Sequence, residues 1–191
     1  RLYALNKKVI VVLSCGSAVE FDAVERADAI VHAYLGGQAG ARALLNVLTG
    51  KVTPSGKLSE SYPYSYEDCP SARYFPGKAA TAEYREGPFV GYRYYATAKV
   101  PVRYPFGYGL SYTSFEYSDF EVNENGAGFT LKNTGAADGA EIAQLYIGKA
   151  GGKIFRPVRE LKGFKKVFLK AGESKVVEIP LDDKAFRYFN V

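Results

Sequence analysis

Val-Ile-Val-Val-Leu-Ser-Cys-Gly-Ser, residues 9–17, decides the first half of the fold. An apolar, largely β-branched run stops abruptly at small polar residues, which is the pattern of a parallel strand buried on both faces. Outward from it, Phe21–Ala27 has room for one or two helical turns, and Ala29–Leu35 is a second apolar run that stops at Gly36-Gly37. Across Gln38–Thr49, Ala41, Leu44, Leu45 and Leu48 fall on one helical face, and Gly50 supplies a C-terminal stop. Strand, helix, strand and helix in this order predict α/β layering. Thr53-Pro54-Ser55-Gly56 then marks a turn.

Residues 60–114 change character, with frequent proline and little periodicity. Two stretches dominate them: Glu-Tyr-Arg-Glu-Gly-Pro-Phe-Val-Gly-Tyr-Arg-Tyr-Tyr at 83–95 and Tyr-Pro-Phe-Gly-Tyr-Gly-Leu-Ser-Tyr-Thr at 104–113. Glycine, proline, tyrosine and arginine interleave too densely there for an ordinary helix or a plain strand. Ordered loops and short strands, anchored by tyrosine rings and hydroxyls, are expected.

From Phe115 the pattern is all-β. Candidate strands are Phe115–Val122, Gly128–Lys132, Glu141–Ile147, Glu160–Leu169, Lys175–Ile179 and Phe186–Val191, separated by Glu-Asn-Gly, Asn-Thr-Gly and Lys-Ala-Gly turns. In Glu141–Ile147, Ile142, Gln144 and Tyr146 alternate with Ala143, Leu145 and Ile147. The spacing predicts an immunoglobulin-like or fibronectin-like sandwich, which needs about seven strands. Phe164 and Phe168 are expected to point inward.

Composition narrows the function. The 191 residues carry 47% hydrophobic and 24% charged residues, ordinary for a globular chain. No apolar run approaches the ~20 residues of a membrane-spanning helix, so no membrane partner is expected. No leader of the secretory type is visible, and Arg1 in place of Met points to a natural start further upstream. Cys15 and Cys69 have no metal-ligand spacing. Cys15 reads as a buried thiol, and the single histidine, His32, as a packed or edge residue of its strand. The net charge of +5 is concentrated in Lys149–Lys175, where nine Lys or Arg accompany two Glu. A solvated sandwich face explains this better than nucleic-acid binding. Gly50 to Lys57 has the wrong spacing for a phosphate loop, and no Gly-x-Ser-x-Gly elbow occurs.

A pair of neighbouring carboxyl groups can divide acid, base or nucleophile duty between them. Candidates are Glu67, Asp68, Glu83 and Glu86. Glu83, Arg85, Glu86, Tyr92 and Arg93 form a candidate substrate-cleft wall, or else anchor an irregular loop through carboxylate–arginine pairs.

Those motifs, together with Tyr34–Gly40, Val52–Leu58, Asn133-Thr134-Gly135, Gln144-Leu145-Tyr146 and Arg156-Pro157 through Phe164, resemble the C-terminal region of family-3 glycoside hydrolases. The resemblance runs along nearly the whole chain, with Thr53, Ala39, Ala41 and Pro88 as departures. It implies α/β plus all-β architecture: the later part of an α/β sandwich domain (1–59), a wrapping segment and linker (60–114), and a fibronectin type III-like β-sandwich (115–191) lacking its last strands. It also implies a retaining, exo-acting β-glucosidase-like parent without metal or organic cofactor. Such a parent carries its aspartate nucleophile on a barrel domain, within Ser-Asp-Trp, and its acid/base glutamate upstream of Val9. This chain has no Trp, and Ser118-Asp119-Phe120 lies in the β region, so no catalytic residue carries over. The expected partners are that barrel domain, an oligo- or aryl β-glycoside, and a second copy through exposed strand edges. The alternative is a non-catalytic carbohydrate-binding or structural interaction module.

Overall fold

The computed structural model describes residues 3–5, 7–77, 80–148, 151–152 and 154–188. The chain forms two compact units, one of residues 1–49 and 59–106, the other of 50–58 and 107–191.

In the first unit, β1 (Ile10–Leu13) and β2 (Ala29–His32) pair in parallel, with Ile10 opposite Ala29 and Leu13 opposite His32. Phe21–Ala27 forms turns closed by Val24 N–H to Phe21 O (2.8 Å) and Ala27 N–H to Val24 O (2.9 Å). Helix α1 (Gly40–Leu48) starts two residues later than its periodicity predicts, and Thr49 closes it by donating its hydroxyl to Leu45 O at 2.7 Å. The expectation that β1 is buried on both faces fails: its residues alternate between exposed and half-buried. Leu45 and Leu48 of α1 are likewise exposed.

The unit's core is aromatic. Phe21 and Tyr62 are buried, with ring centroids 5.1 Å apart, and Tyr104 approaches Phe21 edge-on at 5.5 Å. Tyr62 and Tyr104 belong to β3 (Tyr62–Pro63) and β4 (Val102–Tyr104), an antiparallel pair. Between them lies a helix that the sequence reading excluded, α2 (Tyr92–Ala98). Gly91 enters it at φ 56° and Lys99 leaves it in the left-handed conformation, so both ends are set by unusual backbone angles and not by side-chain caps.

The second unit is a β-sandwich. A three-stranded antiparallel sheet has the order β5 (Phe115–Asn123), β6 (Gly126–Asn133), β9 (Ser174–Pro180). Facing it are β7 (Gly139–Ile147) and β8 (Glu160–Leu169). Phe129, Leu131, Ala143, Val167, Leu169, Val177 and Ile179 are buried between the sheets, with Phe115 and Leu145 packed against them. Two expectations are corrected here. Phe164 and Phe168 are 68% and 55% exposed, because the period-two pleat that buries Val167 and Leu169 turns them outward. Phe186–Tyr188 is not a strand. Asp182 accepts a hydrogen bond from Ala185 N–H (3.1 Å) and starts a 3-10 turn over Asp183–Phe186. Residues 189–191 of that candidate strand lie outside the described residues.

Candidate functional site

The segment carrying the candidate residues is built from glycine-permitted turns. Gly87 (φ 55°) and Gly91 (φ 56°) adopt positive φ, and Phe89 N–H bonds to Glu86 O at 3.0 Å. From Gly91 the chain winds into α2, with Tyr94 and Tyr95 N–H both bonding to Gly91 O (3.0 and 3.2 Å).

The candidates separate into two groups. In the first, Arg85 pairs with Glu83 through Nε and Nη2, and its guanidinium sits 4.5 Å over the Tyr74 ring. The Glu83 hydrogen bond is the main cause that raises the Arg85 pKa above its ordinary value. Both side chains are exposed, so this pair is screened by solvent. Glu86 is half-buried, and Tyr84 beside it is 91% exposed.

The second group lies on α2. The Tyr92 ring stacks on Phe106 at 4.6 Å, and the Arg93 guanidinium lies 5.9 Å from the Tyr92 centroid. Arg93 Nε is buried with no hydrogen-bond partner among the described residues. Tyr95, one turn deeper, donates its hydroxyl to Cys69 Sγ at 3.6 Å. Burial, followed by that contact, pushes its pKa up. Among the described residues no ion pair joins Glu83 or Glu86 to Arg93.

Of the other carboxylates, Asp68 accepts from the backbone N–H (3.1 Å) and hydroxyl (3.5 Å) of Ser65 in a capping box, a local structural duty. No described group of three or more His, Cys, Asp or Glu has a metal-binding arrangement. No described helix is long and apolar enough to cross a membrane. The chemistry on offer is therefore a pair of cations beside aromatic rings, with one carboxylate engaged by arginine.

The sequence reading did not single out a constellation in the second unit. Lys57 Nζ lies 3.0 Å from Glu141 Oε2 and donates to Gly109 O at 3.0 Å. Tyr117 donates its hydroxyl to Glu141 Oε1 at 3.3 Å. Thr53 donates to Asp138 O at 2.6 Å, and Leu58 N–H bonds to Tyr108 O at 2.8 Å. Gly107 carries a positive φ of 80°, and a Cβ there would collide with the Gln144 carboxamide. The Val52–Leu58 turn and residues 107–109 thus lock onto each other and onto β7. The signal in the sequence was their glycines, which are needed where backbones approach closely.

Residues 1–112 match the glycosyl hydrolase family 3 C-terminal domain, and residues 141–191 match a fibronectin type III-like domain. The chain is 45% identical to the thermostable beta-glucosidase B of Acetivibrio thermocellus, over 97% of this chain and 26% of that protein. It is 46% identical to an exo-alpha-(1->6)-L-arabinopyranosidase of Bifidobacterium longum, over 98% of this chain and 26% of that protein. The crystal structure of the Bifidobacterium adolescentis GH3 beta-glucosidase superposes with a TM-score of 0.87 at 45% identity, covering 95% of this chain and 28% of that one. The chain spans about a quarter of the length of these relatives.

Proposed function

The chain belongs to glycoside hydrolase family 3, and from that membership we propose that it is part of an exo-acting, retaining β-glycosidase of the β-glucosidase type. The observation that carries this reading is the near-complete alignment of the chain, at 45% identity, with one continuous portion of a beta-glucosidase. The catalytic carboxylate pair of such an enzyme lies outside this chain, on a barrel domain and on an upstream segment, so the chain alone does not hydrolyse glycosides. Its work is scaffolding: the fibronectin-like sandwich braces the catalytic parts, and residues 60–114 wrap the α/β layer towards the substrate.

Within that segment Glu83, Arg85, Glu86, Tyr92 and Arg93 are proposed to line the cleft or anchor its loop. Support comes from Arg85, held between Glu83 and the Tyr74 ring, and from Tyr92, stacked on Phe106. Relatives named for β-glucosidase and for α-L-arabinopyranosidase activity are equally similar to this chain. Similarity over this quarter of those proteins therefore does not select the sugar.

The test is to purify the longer polypeptide that carries this chain and assay it on aryl β-D-glucoside and aryl α-L-arabinopyranoside. Turnover of one of them, lost when residues 1–191 are deleted, is the expected result. A polypeptide that hydrolyses neither overturns the reading.

A second reading, a module that binds carbohydrate or a second copy, is favoured by one observation: Phe164 and Phe168 stand exposed on the same face of β8. Retardation on polysaccharide gels, or a dimer in sedimentation at high micromolar concentration, supports it when F164A/F168A abolishes the effect.

A further inference from the structure

His32 ends β2 opposite Leu13, and Cys15 lies two residues beyond Leu13, so the parallel register of β1 and β2 delivers a thiol and an imidazole to the same end of the sheet. Cys15 Sγ is 3.7 Å from His32 Nε2, within reach of a sulfur hydrogen bond. The imidazole is held in place around its rim and face. The Tyr62 hydroxyl bonds to Nδ1, Tyr34 stacks on the ring at 3.6 Å and 16°, and Nε2 is 3.1 Å from the Cys15 carbonyl oxygen. Tyr62 is buried, whereas Cys15 is only half-buried and unbridged. Its thiol also reaches Ser17 O at 3.4 Å.

This geometry admits two tautomers without moving a heavy atom, because a tyrosine hydroxyl both donates and accepts. With the proton on Nε2, the ring donates to the Cys15 carbonyl and Tyr62 donates to Nδ1, which is a packing arrangement. With the proton on Nδ1, the ring donates to the Tyr62 oxygen, and Nε2 presents a lone pair to the thiol. Transfer of the thiol proton to Nε2 then leaves a thiolate beside an imidazolium whose two N–H groups both have acceptors: the Tyr62 oxygen on one side, the thiolate and the Cys15 carbonyl on the other.

We propose that Cys15 is a reactive thiol, with His32 as its base and Tyr62 as the positioning residue, and that it takes small disulfides such as oxidised glutathione. The Cys15 thiolate attacks one sulfur of the disulfide, and a new S–S bond forms as the old one breaks. The departing thiolate takes the proton from the imidazolium and leaves as a thiol. Cys15 and one half of the reagent are joined as a mixed disulfide, and the other half is reduced. The adduct lies beside His32, on which the Tyr34 ring stacks, and Tyr34 in turn accepts from Ser14 through its backbone oxygen and from Ser59 through its hydroxyl (3.4 Å each), so modification bears on the start of the Tyr34–Gly40 motif. Cys69 is the built-in comparison: its sulfur meets the Tyr95 hydroxyl and no imidazole. This inference is independent of the glycosidase reading.

C69S and C15S chains each retain one thiol. Both are treated with oxidised glutathione at pH 7, and adduct formation is followed by intact mass, with a thermal melt of each variant alongside. Cys15 is expected to react at least about tenfold faster than Cys69. H32N in the C69S chain is expected to reduce the Cys15 rate to that of Cys69. Y62F, which keeps the buried ring and removes only the hydroxyl, is expected to give an intermediate rate, and it decides the matter should H32N not fold. Equal rates for the two thiols, or a Cys15 rate unchanged by H32N and Y62F, overturns the proposal.

Discussion

Lys57 and Glu141 form an ion pair at 3.0 Å in which each side chain is only 14% exposed, and this pair fastens the Val52–Leu58 turn to strand β7 of the sandwich. The Gly109 carbonyl shares the ammonium, and the Tyr117 hydroxyl shares the carboxylate. Both charges are thus compensated by hydrogen bonds as well as by each other, the condition under which a desolvated pair is tolerated. K57M leaves Glu141 without its cation and is expected to lower stability by about 2–4 kcal/mol. K57M/E141L removes both charges and is expected to recover much of that loss. Urea unfolding of the single and double variants measures the coupling. Additive effects would show that the pair is spatial only.

Tyr117 adds a pH dependence. Its side chain is 49% exposed, and its hydroxyl donates to Glu141 Oε1 at 3.3 Å. Burial first, and the neighbouring carboxylate second, raise its pKa above the ordinary tyrosine value. Tyr95 is shifted the same way, by burial and then by Cys69. The folded state therefore retains phenol protons that the unfolded chain releases. This contribution is fully present below about pH 10, the unfolded tyrosine value, and is lost as pH rises from there towards the folded pKa values. Melting temperatures between neutral and strongly alkaline pH should fall above about pH 10, less steeply for Y117F.

Asn133 is fully buried in the Asn-Thr-Gly motif and uses its whole carboxamide. Nδ2 donates to Ala137 O (2.9 Å) and Leu169 O (3.2 Å), while Oδ1 accepts from the Thr113 hydroxyl (2.6 Å) and Gly135 N–H (3.1 Å). N133L matches the size but strands these partners, so a loss of about 2–4 kcal/mol is expected in denaturant unfolding. A change below about 0.5 kcal/mol would show that water replaces the amide there.

Gly107 and Gly172 both have positive φ (80° and 77°) in the same unit, yet only Gly107 faces a neighbour, the Gln144 carboxamide. Gln144 Nε2 donates to Gly107 O at 3.0 Å, and its Oε1 accepts from the Tyr146 hydroxyl at 2.6 Å, so it is not free to swing away. G172A is expected to cost about 1 kcal/mol through backbone strain alone, and G107A distinctly more. Equal losses in thermal unfolding would remove the steric part of the argument.

The sequence makes the alternation of β7 plain, since only one parity there is strongly apolar. It leaves β8 ambiguous: Phe164 and Phe168 fall on one parity and Val167 and Leu169 on the other. Only the register with β7, which sets Leu169 opposite Gly139 and Phe164 opposite Gln144, decides which pair enters the core. Helix α2 is hidden because its tyrosines suit a strand as well as a helix, and the deciding angles at Gly91 and Lys99 have no local pattern. The candidate residues 83–93 were visible as a cluster of types, but their grouping depends on Tyr74 and Phe106, which are contributed from elsewhere in the chain. The Lys57–Glu141 pair and the Cys15–His32 approach are products of long-range register, which local periodicity cannot carry.

We propose that this family-3 chain supports catalysis without performing it. The most direct measurement is hydrolysis of aryl β-D-glucoside by the purified 20.9 kDa chain, with intact mass determined on the same sample. The account predicts no turnover above the buffer blank. Turnover that follows the 20.9 kDa species and disappears in E83Q or E86Q would contradict it, because the carboxylates would then be working within this chain.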